Sequence, residues 1–356
     1  MSERYKEDIA VGRKLTVPRN PKPAKLRDVA RKAGVAVGTV SRVLNANPTV
    51  SEAVRRKVQT AIDDLGYETD VVAQSLRGGS TKMIACAIRD FDIPQFAAYI
   101  KEAERIFREA GYTLLLSSTT NRPDVEMALL RAFKRRRVDG IMMTVSDEAH
   151  PGVAKSLVDV GIPVLLIDRD HVETLDRVAV DHFGGIETAT RYLLGLGHRR
   201  IALLVGDVKA FPSRSRVEGF QAAFAAARHK IDSNLLRQDV LDQEGAFRET
   251  MALMSLPDPP TALLVAAMDT LGGTLRALRV LNREVGRDVS LIAGTDSDLA
   301  ELYSPAVTAI RWDLAEMGRH AATMLLERIL GRSPPSARAI KLPSTLVIRQ
   351  SCQAVP

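Results

Sequence analysis

Sulfur and aromatic rings are scarce in this chain. Its 356 residues include two cysteines, Cys86 and Cys352, and one tryptophan, and all aromatic residues together make up 4%. Two thiols cannot build a disulfide framework or a Cys-based zinc site within one chain, and such sparing use of cysteine suits a reducing compartment. Long apolar runs are also missing. The stretches Ile162 to Ile167 and Ala262 to Met268 fall well short of the roughly 18 residues that cross a bilayer, so no membrane association is expected. Residues 1–24 contain Arg and Lys but no apolar core of a signal peptide, and the expected location is the cytoplasm. There is no Gly-x-Gly-x-x-Gly after a strand, no P-loop and no Gly-x-Ser-x-Gly elbow. The histidines His150, His171, His182, His198, His229 and His320 lack ligand spacing and read as surface or hydrogen-bonded structural groups. Neither a metal nor a cofactor is expected.

What is present is an ordinary globular composition, 46% hydrophobic and 26% charged, in a chain long enough for two or three domains. The net charge of +7 is unevenly spread. Residues 1–80 hold 15 Lys and Arg against nine Asp and Glu, whereas the remainder holds 35 against 34. A small basic module ahead of a nearly neutral body is either a nucleic-acid-binding head or a solvated basic tail.

Residues 1–24 mix charge with Pro18, Pro21 and Pro23 and read as a disordered arm. Helical spacing begins at Leu26, with Val29, Ala30 and Ala33, and stops at Gly34. Thr39, Val40, Val43 and Leu44 mark a second short helix, and Val54, Val58, Ile62 and Leu65 a third, opened by Ser51 and closed by Gly66. The tight connection through Gly34 has the spacing of a helix-turn-helix, whose second helix enters the major groove. With Val40, Val43 and Leu44 turned to the core, Val37, Gly38, Ser41 and Arg42 are left for DNA. The Arg42 fork suits bidentate contact to guanine. Arg55, Arg56 and Lys57 either touch phosphates or form a solvated face. Residues 70–80, ending in Gly78-Gly79-Ser80, read as a hinge or an ordinary linker.

From Met83 onward, short apolar runs alternate with amphipathic ones. The runs 83–88, 112–116, 140–145, 163–167, 201–205, 262–266 and 289–293 predict buried parallel strands. The segments 96–110, 125–136, 185–196, 213–227 and 271–281 predict helices. Such repetition is too long for one comfortable doubly wound sheet and predicts two α/β lobes with a cleft, where ligands bind beyond the carboxyl ends of strands.

The stretch Leu26-Arg27-Asp28-Val29-Ala30-Arg31-Lys32-Ala33-Gly34-Val35 followed by Thr39-Val40-Ser41-Arg42-Val43-Leu44-Asn45 closely resembles the head of the lactose-repressor (LacI) family of bacterial transcriptional regulators. Ala73-Gln74-Ser75-Leu76, Val138-Asp139-Gly140-Ile141, Ile167-Asp168-Arg169, Leu196-Gly197-His198-Arg199-Arg200-Ile201-Ala202 and Arg216-Val217-Glu218-Gly219-Phe220 extend the resemblance. It implies a small all-α helix-turn-helix head (25–69), a hinge helix and linker (70–80), and a two-lobed α/β effector and dimerisation domain (81–350) similar to periplasmic binding proteins. A tail (351–356) follows. It also implies a homodimer that reads a pseudo-palindromic double-stranded operator, most often as a repressor, under control of a small-molecule effector. Leu26, Thr39, Asn45 and Ala73 join the DNA-facing set by this resemblance, and Leu76 matches the leucine that wedges into the minor groove. Ala36 stands where the family usually has a capping serine.

By the same resemblance the effector candidates are Asp90, Phe96, Thr144, Asp168, Arg216, Asp296 and Trp312. The expected effector is a sugar or a sugar acid; Ala267-Met268-Asp269 replaces the Asn-Asp of sugar-binding members, and Arg89 and Arg169 add positive charge, which points toward the acid. Catalysis is not implied. The rivals are a solute-binding protein of the same body fold, disfavoured by the basic head, and an α/β enzyme, disfavoured by the missing phosphate and nucleophile motifs. Gln350 to Pro356 has no leucine heptads, so no C-terminal tetramerisation is expected.

Overall fold

The computed structural model describes residues 24–44, 47–67, 79–170 and 172–355. The chain divides into two compact units, Met1–Thr81 and Lys82–Pro356. Nearly all of the expected arm, most of the hinge stretch, and Asn45 lie outside the described residues.

The first unit contains helices α1 (Leu26–Ala33), α2 (Val37–Leu44) and α3 (Glu52–Leu65). α1 stops at Gly34, whose φ of 66° is a left-handed conformation that glycine adopts without a Cβ penalty. At its other end the Asp28 carboxylate accepts the Lys25 N–H at 2.9 Å, placing negative charge where the helix dipole favours it. Val29, Ala30, Val40, Val43, Val58 and Ala61 form the core, the apolar faces that helical spacing predicts.

The second unit holds two six-stranded sheets. In lobe 1 the order is β11-β5-β4-β3-β1-β2, built from β1 (Met83–Ile88), β2 (Thr113–Ser118), β3 (Gly140–Met143), β4 (Val164–Ile167), β5 (Asp176–Val180) and β11 (Ala339–Leu342). In lobe 2 it is β12-β10-β9-β8-β6-β7, from β6 (Ile201–Leu204), β7 (Leu236–Arg237), β8 (Ala262–Val265), β9 (Ser290–Ala293), β10 (Thr308–Arg311) and β12 (Thr345–Val347). Among the described residues only the β10–β12 pairing is antiparallel. The central strands β3, β4, β6, β8 and β9 are buried at every position, as parallel strands covered on both faces must be.

Helices cover both faces of each sheet. In lobe 1, α4 (Pro94–Glu109) and α12 (Leu314–Ile329) enclose one core with Tyr99, Phe107, Met317 and Leu325, while α5 (Pro123–Arg136) and α6 (Pro151–Asp159) enclose the other with Leu130, Phe133 and Leu157. In lobe 2, α7 (His182–Gly195) and α8 (Phe211–Ala226) pack Ile186, Phe220 and Phe224 on one face, and α9 (Gln243–Met254) and α10 (Leu271–Val280) pack Leu253 and Leu278 on the other. A short helix, α11 (Asp298–Leu302), follows β9. α7 and α8 approach so closely that a Cβ on Gly219 would strike the Phe183 carbonyl.

Residues 351–355 continue lobe 2. Ser351 is fully buried, accepts the Thr308 N–H at 2.8 Å and donates to the Leu291 carbonyl at 2.5 Å. Val355 N donates to the Leu196 carbonyl.

Candidate effector cleft and DNA-reading face

The cleft is built at the carboxyl ends of the strands. β4 is followed by Asp168, whose φ of 57° lies in the left-handed region that Asp tolerates better than most residues. The turn aims its carboxylate at two groups: Oδ1 accepts the Val180 N–H at 3.0 Å, and Oδ2 lies 2.8 Å from His182 Nε2. Burial pushes the Asp168 carboxyl up, but the His182 ring, the Val180 N–H and Arg169 outweigh it and the net shift is downward. Burial lowers His182 below the ordinary imidazole value against the pull of Asp168, and nearby Arg216 adds to the lowering. The His182 ring also meets Trp312 edge-on, 5.6 Å between centroids and 86° between planes, an arrangement that aromatic quadrupoles favour.

Arg216 reaches the cleft from α8. It is 3% exposed, and its Nη2 has no hydrogen-bond partner among the described residues. Burial pushes its guanidinium down to about 10, with Asp168 pulling the other way. The Tyr99 hydroxyl, on α4 of the opposite lobe, is likewise buried without a partner, and both residues line one pocket with Arg89, Phe96, Thr144, Asp168 and Trp312. Arg89 is lowered chiefly by burial. Arg169 is tied to main chain, its Nε to Val145 O at 2.5 Å and its Nη1 to Asp168 O at 2.6 Å. Two buried glutamates brace segments that carry lining residues: Glu126 accepts the Ser146 N–H at 2.7 Å, and Glu148 accepts the Asp170 N–H at 2.7 Å and the Phe211 N–H at 2.6 Å. The pocket therefore presents unpaired donors, with the guanidinium groups of Arg89, Arg169 and Arg216 set among the Asp168 and Asp207 carboxylates, which suits a ligand rich in acceptor oxygens.

Five of the seven expected effector residues, Phe96, Thr144, Asp168, Arg216 and Trp312, converge here. Asp296 does not line this pocket. It borders a neighbouring cavity, and its carboxylate is taken by Arg349 at 2.8 and 3.1 Å and by Arg311 at 2.6 Å. Asp90 lines no described pocket and sits on an exposed turn, accepting the Asp92 N–H at 3.4 Å. Sequence reasoning missed Tyr99, whose position on a helix face reads as core, and Glu148, which sits in a polar stretch. Among the described residues no cluster of His, Cys, Asp or Glu is placed to hold a metal, and no helix is long and apolar enough to cross a membrane.

In the head, Val37, Gly38 and Arg42 are exposed on α2, Thr39 and Ser41 are half-buried, and Leu26 packs against the core. Arg55 Nη2 donates to the Asn47 carbonyl at 3.2 Å, which places one member of the basic triplet on the loop before α3. Asn45, Ala73 and Leu76 lie outside the described residues.

A helix-turn-helix head together with a two-lobed α/β body whose cleft holds unpaired donors defines a ligand-responsive DNA-binding regulator. Sequence comparison agrees. Residues 25–70 match the model of bacterial regulatory proteins of the lacI family, and residues 190–352 match the periplasmic binding protein-like domain. The HTH-type transcriptional regulator DegA of Bacillus subtilis is 32% identical over 334 residues, covering 91% of this chain and 96% of that protein. The chain belongs to the LacI family. The crystal structure of the Lac repressor dimer bound to operator and the anti-inducer ONPF superposes with a TM-score of 0.81 at 25% identity, over 94% of this chain and 100% of that one. The transcriptional regulator CelR in complex with cellobiose gives a TM-score of 0.70 at 28% identity, over 92% and 99%.

Proposed function

We propose that this chain is a cytoplasmic, homodimeric transcriptional repressor that catalyses no reaction, and that a small organic anion of the sugar-acid class binds in the cleft and changes its affinity for a pseudo-palindromic operator. Val37, Gly38, Ser41 and Arg42 face the major groove, with Arg42 reading guanine and Thr39, Leu26 and Asn45 supporting the contact. Ala73 and Leu76 belong to the minor-groove segment. Phe96, Thr144, Asp168, Arg216 and Trp312 contact the effector.

The observation that carries this reading is the buried Arg216 guanidinium with an unpartnered Nη2, faced across the cleft by the unpartnered Tyr99 hydroxyl. A carboxylate supplies the acceptors that both groups lack, and a buried charge is tolerated far better once paired. The relative CelR is described with cellobiose, a neutral sugar. Here the Asp296 carboxylate is already bound by Arg349 and Arg311, and Arg89 adds a further cation to the lining.

Two experiments test the reading. Selection of bound sequences from a random duplex pool at physiological salt should enrich a two-fold symmetric motif. Calorimetric titration with gluconate, glucuronate and galacturonate, beside the matching neutral sugars, should give binding in the acid series only. Tight binding confined to neutral sugars would refute the acidic effector.

A further inference from the structure

We infer that Glu148 is a positioning residue of the effector cleft: a carboxylate of lobe 1 that caps helix α8 of lobe 2 and thereby sets where Arg216 stands. Glu148 follows β3, and only 1% of it is exposed. Its Oε2 accepts the Asp170 N–H at 2.7 Å and so holds the segment after β4 that carries Asp168 and Arg169. Its Oε1 accepts the Phe211 N–H at 2.6 Å, the first amide of α8. One carboxylate thus bonds main chain belonging to both lobes.

Helix α8 needs this outside acceptor. Its N-cap residue is Ala210, which has no side chain able to accept, and Pro212 leaves Phe211 as the first donor in need of a partner. By contrast α7, α9 and α11 are capped locally by Asp181, Asp242 and Ser297. A full negative charge at the α8 terminus is also favoured by the helix dipole. Arg216 lies five residues beyond Phe211, about 7.5 Å along the axis, on the same rigid element. Shifting the end of α8 therefore shifts the guanidinium. A second bond between the lobes, Arg214 Nη2 to Asp170 Oδ1 at 2.7 Å, lies beside the first but is half-exposed and adds little.

The inference rests on the cleft being the effector site, but its test uses no ligand, so the two readings fail separately. Amide hydrogen exchange on the full-length protein comes first. The Phe211 amide should exchange at the rate of amides inside α8, at least about tenfold slower than the first amides of a helix with a free end. Glu148→Gln keeps the shape but offers one acceptor oxygen to two N–H donors. It should speed exchange at Phe211 by about tenfold and increase acrylamide quenching of Trp312, the single tryptophan, which packs on core residues of both lobes. Adding Ala210→Ser gives α8 a cap of its own. That second change should return protection to the first turn of α8 while the Trp312 quenching stays high.

Any of three results overturns the inference: a fast Phe211 amide in the unmodified chain, unchanged Trp312 quenching in a folded Glu148→Gln variant, or quenching restored by Ala210→Ser. Should Glu148→Gln not fold, the exchange rate of Phe211 in the unmodified chain decides alone.

Discussion

Replacing Arg216 with Met should make the ligand-free protein more stable. The guanidinium is 3% exposed and is pushed below its ordinary value to about 10, chiefly by burial. At pH 7 the group is charged in both the folded and the unfolded chain, so the whole of that depression acts as a cost to folding. At about 1.4 kcal/mol per unit, the cost is on the order of 3 kcal/mol. The lost attraction to Asp168 is already contained in it, and Asp168 keeps its bonds to His182 and Val180. Methionine fills much of the same volume without charge, so a gain of about 2 kcal/mol and a rise of roughly 5 °C in melting temperature are expected for a unit of this size. Differential scanning calorimetry at pH 7.5 measures it, with and without galacturonate. The variant should melt higher without ligand and lose any upward shift on adding the acid. A melting temperature several degrees below that of the unmodified protein would refute the reasoning, because it would mean that the guanidinium is compensated in the empty cleft.

The remaining predictions concern pH, the lobe 1 ion cluster and the head. Burial holds His182 and His198 below the ordinary imidazole value, so between pH 6.5 and their lowered native values the unfolded chain binds protons that the native one does not. Stability should therefore fall as pH drops below 6.5, and a melting temperature that is flat or rising from pH 7.5 to 5.5 would contradict this. The Asp176 side chain is 1% exposed and bonded to Arg328 at 2.6 Å and Arg338 at 2.8 Å; Asp176→Ala should cost about 3 kcal/mol, read by chemical denaturation. Arg42→Ala should cost roughly 1–3 kcal/mol in operator affinity and relax one base pair of each half-site, whereas an equal loss on all sequences would make Arg42 a phosphate contact.

The central strands are legible in the sequence because a parallel strand covered on both faces is a continuous apolar run, as in Ala262–Val265 and Ser290–Ala293. Strands β5, β11 and β12 escape the same test. β5 opens with Asp176 and Arg177, and β11 and β12 are largely exposed or half-buried, so neither alternation nor a run marks them. The site divides along similar lines. Arg216 stands out because a family motif surrounds it. The capture of Asp296 by Arg349, 53 residues away, follows from the antiparallel return of β12 beside β10, and no local pattern announces it. Glu148 is hidden for the same reason: its partner Phe211 lies 63 residues on, in the other lobe.

The distribution of charge across the cleft bears on how occupancy is transmitted. Arg89 and Arg169 stand on lobe 1 and Arg216 on lobe 2, and the charges that act across the cleft are attractive: Asp168 on Arg216, and Asp242 and Asp269 on Arg89. To these are added the bonds that Glu148 and Asp170 make to α8. The Arg216 Nη2 and the Tyr99 hydroxyl, on opposite lobes, still lack acceptors, so the proposed anion, bonded to both, is held more tightly by an arrangement that brings the two together than by one that separates them. Such a difference in affinity is the condition for a ligand to shift a conformational equilibrium.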